Sequence, residues 1–168
     1  GRYLRNGPNP AIAPDPASYH WFSGAGMVHG IRIEGGKAHW YRNRWVRGTE
    51  ACAALGEVIP AGPREEGGFD APNTNVVGIA GRTFAIVEAG GKPVELGYEL
   101  DTIAHNPFDG TLTGSYTAHP HEDPFTGELH AITYKGDAPN SVWHVVVDKD
   151  AHDVREEAVA VRDGPSIH

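Results

Sequence analysis

Apolar positions along this chain come in short runs broken by glycine and proline, and no stretch sustains the 3.6-residue repeat of an amphipathic helix. "GMVHGIRIEGGKAHWYRNRWV" holds two β-rich runs around Gly35-Gly36, a two-residue turn signal, and reads as a hairpin. "TNVVGIAGRTFAIVEA" is a second hairpin, turning at Ala80-Gly81. "TLTGSYTAHPH" and "ELHAITYK" read as strands joined by the turn-forming loop Asp123-Pro124-Phe125-Thr126-Gly127. "SVWHVVVDKDAHDVREEAVAV" is a last hairpin, turning near Asp150 to His152. "PVELGYELDTI" is short and ambiguous, and "TEACAALGEVI" is the one candidate for a helical turn or two. The Pro- and Gly-rich residues 1–20 should run extended over a surface without helix, and "PAGPREEGGFDAP" is a loop. This cadence predicts an all-β fold of propeller or sandwich type, and the pattern alone does not choose between them.

Composition agrees. The 168 residues suffice for one domain, and 22 Gly with 13 Pro suit many turns rather than helices. The chain opens at Gly1 without an initiator Met and stops at His168 directly after "GPS", so it is expected to be a piece of a longer protein, cut at both ends. A net charge of −8 argues against a nucleic-acid partner, whose phosphates it would repel. The single cysteine, Cys52, excludes an internal disulfide and fits a reducing, cytoplasmic compartment. No run approaches the roughly 18 apolar residues that span a bilayer.

The candidate chemistry lies in the histidines. "TAHPHEDPFTGELHA" carries His119, His121 and His130 among Glu122, Asp123 and Glu128. His119 is expected to end a strand, because Pro120 removes a backbone donor, and a ligand needs to be aimed from a rigid element. His121 would share its face in a continuing strand. These residues leave two readings open: a metal site, or a polar hairpin that carries imidazoles. His29, His39, His144 and His152 read as half-exposed strand residues, His20 as packing at a loop–strand junction, and His105 as a turn residue. His168 adds one more imidazole after a turn. Glu88 ends the apolar run "FAIV", where a carboxylate must reach solvent, pair, or accept a hydrogen bond from a metal-bound histidine. No HExxH, G-x-S-x-G, cysteine cluster or phosphate loop is present, and Cys52 has no local support as a nucleophile.

Seven stretches, "RYLRNGPNP", "YHWFSGAGMVHGIRI", "YRNRWVR", "NTNVV", "FAIVEAGGKPVEL", "YTAHPHEDPFTGELHAITY" and "GPSIH", occur in the order in which they resemble the carotenoid cleavage oxygenases, and they run from Arg2 to His168. The resemblance implies a seven-bladed β-propeller capped by a helical dome, of which this chain would be an N-terminal fragment. It implies a non-haem Fe(II) on the propeller axis held by four histidines. Carried over by motif, His119 and His168 are two of them, the other two lie beyond this sequence, and Glu88 orients His168. His121 and His130 match no ligand position. A chain with two of four ligands is then not expected to hold iron tightly or to be active alone. Two departures stand out: Ser23 and Ala25 replace carboxylates of the pattern "FDGDGMVH".

The implied activity is an iron-dependent dioxygenase that inserts O2 across a C=C bond of an apolar conjugated substrate, a carotenoid or apocarotenoid, and releases two carbonyl products. Contact with a lipid surface would follow from such a substrate. A stilbene-type phenolic olefin is the alternative. Related stilbene cleavers favour a lysine just before the "EAG" glutamate, where this chain has Val87. A retinoid isomerohydrolase on the same scaffold, and a binding module with satisfied core histidines, are the rivals from other classes.

Overall fold

The computed structural model describes residues 1–64, 70–88, 91–134, 140–152 and 154–162. Their strands are β1 (Arg2–Pro8), β2 (Gly26–Glu34), β3 (Lys37–Trp45), β4 (Asn75–Ile79), β5 (Arg82–Ile86), β6 (Val94–Leu96), β7 (Thr102–His105), β8 (His121–Glu122), β9 (Leu129–Tyr134), β10 (Ser141–Val147) and β11 (Val154–Ala160). A single helix, α1 (Thr49–Leu55), is described between β3 and β4. The strands form three antiparallel sheets in chain order, β1-β2-β3, β4-β5-β6-β7 and β8-β9-β10-β11, in which each strand pairs with its sequence neighbour. Successive up-and-down sheets of this kind are the blades of a propeller, which decides between the two architectures left open by the pattern.

The middle sheet explains why "TFAIV" is a continuous apolar run. Along β5, Phe84 and Ile86 join a cluster with Leu129, Ala131, Val145 and Val147 of the third sheet. Ala85 between them faces the other way, into a cluster with Val28 and Val46 of the first-sheet region. Side chains on a strand alternate between faces, so a strand covered on both sides must be apolar at every position. Each fully buried Phe or Ile contributes about 1.5–3 kcal/mol by leaving water. Both predicted two-residue turns form: Gly35 and Gly36 have φ of 54° and 74°, and Ala80 and Gly81 have 51° and 75°. Positive φ at both central residues gives the twist that adjacent strands require.

Helix α1 starts at Gly48, whose lack of a side chain is filled by a neighbour. The Asp70 carboxylate accepts hydrogen bonds from the Thr49 backbone amide and hydroxyl and from Arg64. Burial alone would raise the Asp70 pKa, but these donors outweigh it and leave the carboxyl below its ordinary value. Here a distant aspartate does what an N-cap side chain usually does.

Two expectations fail. "TLTGSYTAHPH" is not a strand: residues 111–120 are irregular, and pairing begins only with the two-residue β8. Its backbone is satisfied by side chains and by scattered backbone bonds, such as Tyr116 N–H to the Gly91 carbonyl, instead of a ladder. The Glu156 carboxylate accepts from the Thr113 and Gly114 amides, Lys92 donates to the Gly114 carbonyl, and the Asn75 amide donates to the Ala118 carbonyl. Tyr116, Thr117 and Ala118 are buried in succession, which an alternating edge strand could not manage. His105 is not a turn residue but the last residue of β7. It is 2 % exposed at the end of β7, and its Nε2 donates to the Arg47 carbonyl at 2.9 Å. Desolvation lowers its pKa, against the pull of that hydrogen bond and of Asp70.

Candidate functional site

Three asparagines tie the sheets together at one end. Asn6 on β1 donates to the Pro72 and Asn75 carbonyls at 2.9 and 3.1 Å. Asn73 donates to the Phe22 and Gly24 carbonyls at 2.9 and 3.0 Å. Asn75, the first residue of β4, donates to the Ala118 carbonyl at 2.9 Å. A primary amide suits this task because its two N–H groups reach carbonyls on separate segments. The "NTN" stretch thus links the first sheet, the Phe22–Gly24 loop and the segment leading into His119. In the sequence the signal for this role is two amides around one threonine, directly before a strand.

The loop held by Asn73 is closely packed. A side chain on Gly26 would meet the Pro72 carbonyl oxygen at 1.8 Å, so only glycine fits. Ala25 is fully buried in a cluster with Ala51 and Ala71. An unpaired carboxylate in that surrounding would be costly, which gives the departure at Ala25 a local physical reason. Ser23 lies on the exposed side of the same loop.

Around this junction lie two cavities that share Glu88. The larger, about 780 Å3, is lined by Asn6, Trp21, Phe22, Asn73, Val87 and Tyr134 among others. The Trp21 and Phe22 rings are 3.8 Å apart by centroid and largely exposed. The smaller, about 360 Å3, is lined by Glu88, Thr117, His119, His121, His130 and His144 among others. In it the Glu88 carboxylate lies 3.8 Å from His119 Nε2, too far for a direct hydrogen bond. Glu88 is the less exposed of the two, at 23 % against 53 % of the side chain.

The structure therefore brings together two of the three residues expected at the site, Glu88 and His119. His168, the histidine that Glu88 was expected to orient, lies outside the described residues. His119 is not carried on a strand end as expected; the Asn75–Ala118 hydrogen bond holds it one residue upstream. Among the described residues no three His, Cys, Asp or Glu side chains converge closely enough to enclose a metal ion. His29 bonds the Tyr41 hydroxyl at 2.7 Å, His144 is half-buried on β10, His39 and His152 are exposed, and His20 packs on Phe22. His130 and His144, neither of them an expected ligand, have ring nitrogens 3.1 Å apart. Cys52 is buried and unbridged.

Three up-and-down sheets, with imidazoles and a carboxylate gathered around a cavity, define a β-propeller protein with a histidine-lined site. Residues 1–168 match the family described as Retinal pigment epithelial membrane protein. The chain belongs to this family, the carotenoid cleavage oxygenases. It is 54% identical over 170 residues to a carotenoid cleavage oxygenase of Mycobacterium tuberculosis, a match covering 100% of this chain and 34% of that protein. The chain thus spans about a third of the length of that relative. Among solved structures, it resembles the lignostilbene dioxygenase of Pseudomonas brassicacearum with a TM-score of 0.80 and 26% identity, over 100% of this chain and 38% of the other. It also resembles the cobalt-substituted Synechocystis apocarotenoid oxygenase with a TM-score of 0.68 and 22% identity, over 95% and 39% respectively.

Proposed function

We propose that residues 1–168 form part of the propeller oxygenase domain of an iron(II)-dependent dioxygenase, which cleaves a C=C bond of a carotenoid or apocarotenoid with O2 to give two carbonyl products. The observation that carries this reading is the placement of His119. Its backbone is fixed through Asn75 and its ring faces a cavity beside the Glu88 carboxylate.

The residues fit such a metal. Neutral imidazole suits Fe(II), and a nearby carboxylate offsets charge that histidines leave uncompensated. His119 and His168 would hold the ion together with two histidines from outside this chain, and Glu88 would orient His168. Bound there, Fe(II) supplies reactivity toward O2. The chain's own part is to fix one imidazole, keep a carboxylate close, and wall the adjoining cavity with Trp21, Phe22 and Val87, which suits an apolar conjugated molecule. Such a substrate partitions into membranes, so the enzyme would meet a lipid surface; none of the described helices is long and apolar enough to cross one.

A stilbene-type olefin is the second reading, favoured by the similarity to the lignostilbene dioxygenase. Against it stands Val87, 8 % exposed on the cavity wall, which offers a phenol no cation. The full-length protein, assayed for iron content and with 18O2 on carotenoid, apocarotenoid and stilbene substrates, tests both. The reading predicts stoichiometric iron and 18O in both carbonyl products of a polyene. Products without label from O2 would instead mark an isomerohydrolase, and absence of bound iron would remove the oxygenase reading altogether.

A further inference from the structure

We propose that His130 and His144 form a second divalent transition-metal site on the wall of the cavity that His119 also lines. The two residues sit on one face of the third sheet. Val146 stands directly opposite His130, and Ile132 opposite His144, so the histidines are diagonal neighbours across β9 and β10. Diagonal pairs on a sheet lie within reach of long side chains. Here the reach is realised: His130 Nδ1 and His144 Nε2 approach to 3.1 Å, with the rings stacked at 5.3 Å. Two nitrogens each bonded at about 2.0–2.1 Å to one ion would lie about 3 Å apart, the separation found here, and turning both rings so that their lone pairs converge on the ion replaces the hydrogen bond between them.

The far side of His130 supports the assignment. Its Nε2 is buried and finds no hydrogen-bond partner among the described residues. The Glu128 carboxylate stands 3.8 Å away, itself held by Arg155 at 2.5 Å. A histidine ligating through one nitrogen carries its proton on the other, and a carboxylate beyond that proton is the usual partner. Contraction of this one contact would satisfy the buried nitrogen. His121, paired opposite His130 across β8 and β9, lines the same cavity but does not converge on the pair, so the site has two protein ligands among the described residues. A pair of neutral imidazoles with water in the remaining positions selects Zn2+, Ni2+ or Cu2+ over Mg2+ or Ca2+. Bound there, the ion would staple β9 to β10.

Zn2+ titration of the iron-loaded full-length protein by calorimetry, with thermal unfolding alongside, tests the site. Wild-type protein should bind Zn2+ and unfold at a higher temperature with it, because an ion that binds only the folded state stabilises that state. His130→Gln with His144→Gln should weaken this binding at least tenfold and abolish the Zn2+-dependent shift. His119→Ala should retain both, which separates this site from the iron reading. If the double variant does not fold, the single His144→Gln variant on the half-buried β10 face should still show at least a tenfold loss. Zn2+ affinity and shift unchanged in either folded variant would overturn the proposal and leave the pair as a hydrogen bond only.

Discussion

The side-chain amide of Asn75 donates a 2.9 Å hydrogen bond to the carbonyl of Ala118, the residue immediately before His119. This contact joins the first strand of the second sheet to an irregular segment that has no ladder of its own. Asn75→Ala should destabilise the protein by about 1–3 kcal/mol, because the Ala118 carbonyl is left without a partner. Asn75→Asp should behave the same way, since a carboxylate accepts but cannot donate. In the full-length protein both should lower iron occupancy by more than a core substitution of equal stability cost. Equal occupancy in the two cases would mean that Asn75 supports the fold and not the position of His119.

Tyr116 carries a buried hydroxyl with no hydrogen-bond partner among the described residues, and burial pushes its pKa up. Tyr116→Phe keeps the ring contact with Phe108 and removes the stranded polar atom. It should be neutral or stabilising, by up to about 1–3 kcal/mol. A drop in unfolding temperature would show that the hydroxyl is satisfied.

Ala80 holds φ of 51° at the tip of the β4–β5 hairpin. The left-handed conformation costs a residue with a Cβ about 1–2 kcal/mol, and Asn tolerates it better. Ala80→Asn creates the Asn-Gly pair that this turn type favours and should raise stability by about 1 kcal/mol, read by denaturant midpoint. No change in midpoint would mean that the turn relaxes around alanine.

His105 links stability to pH. Desolvation holds its folded pKa below the unfolded value of about 6.5. The unfolded state therefore takes up the proton first as pH falls. Stability from this group is complete above about pH 6.5 and is lost as pH falls from there toward the folded value. His105→Gln, which can still donate to the Arg47 carbonyl, should lose less stability than wild type between pH 7.5 and pH 5. Parallel pH curves for the two proteins would contradict this assignment.

Sequence patterning carried much of the fold. The hairpins around Gly35-Gly36 and Ala80-Gly81 and the β10–β11 hairpin are where alternation and turn residues place them, and the helix Thr49–Leu55 falls within the one stretch that is a candidate for a helical turn or two. These features are local: a turn depends on its own φ angles and a strand on its own alternation. Family motifs carried Glu88 and His119 to one cavity. The segment from Thr111 to Pro120 was misread as a strand because its β-rich composition hides partners far away in the chain, Glu156, Lys92 and Asn75. His105 looks like a turn residue in the sequence because its hydrogen-bond partners, the Ala61 and Arg47 carbonyls, are far away in the chain and no spacing in its neighbourhood reports them.

By itself the sequence determined the all-β cadence, the tight turns and the family, since each depends on residues close together or on motifs quoted whole. Only tertiary structure decided that the sheets stack as blades, that Asn75 anchors the approach to His119, and that His130 meets His144. Those relationships arise from sheets packing on one another and, for His130 and His144, from the register in which β9 pairs with β10, which the residues on either strand alone do not fix.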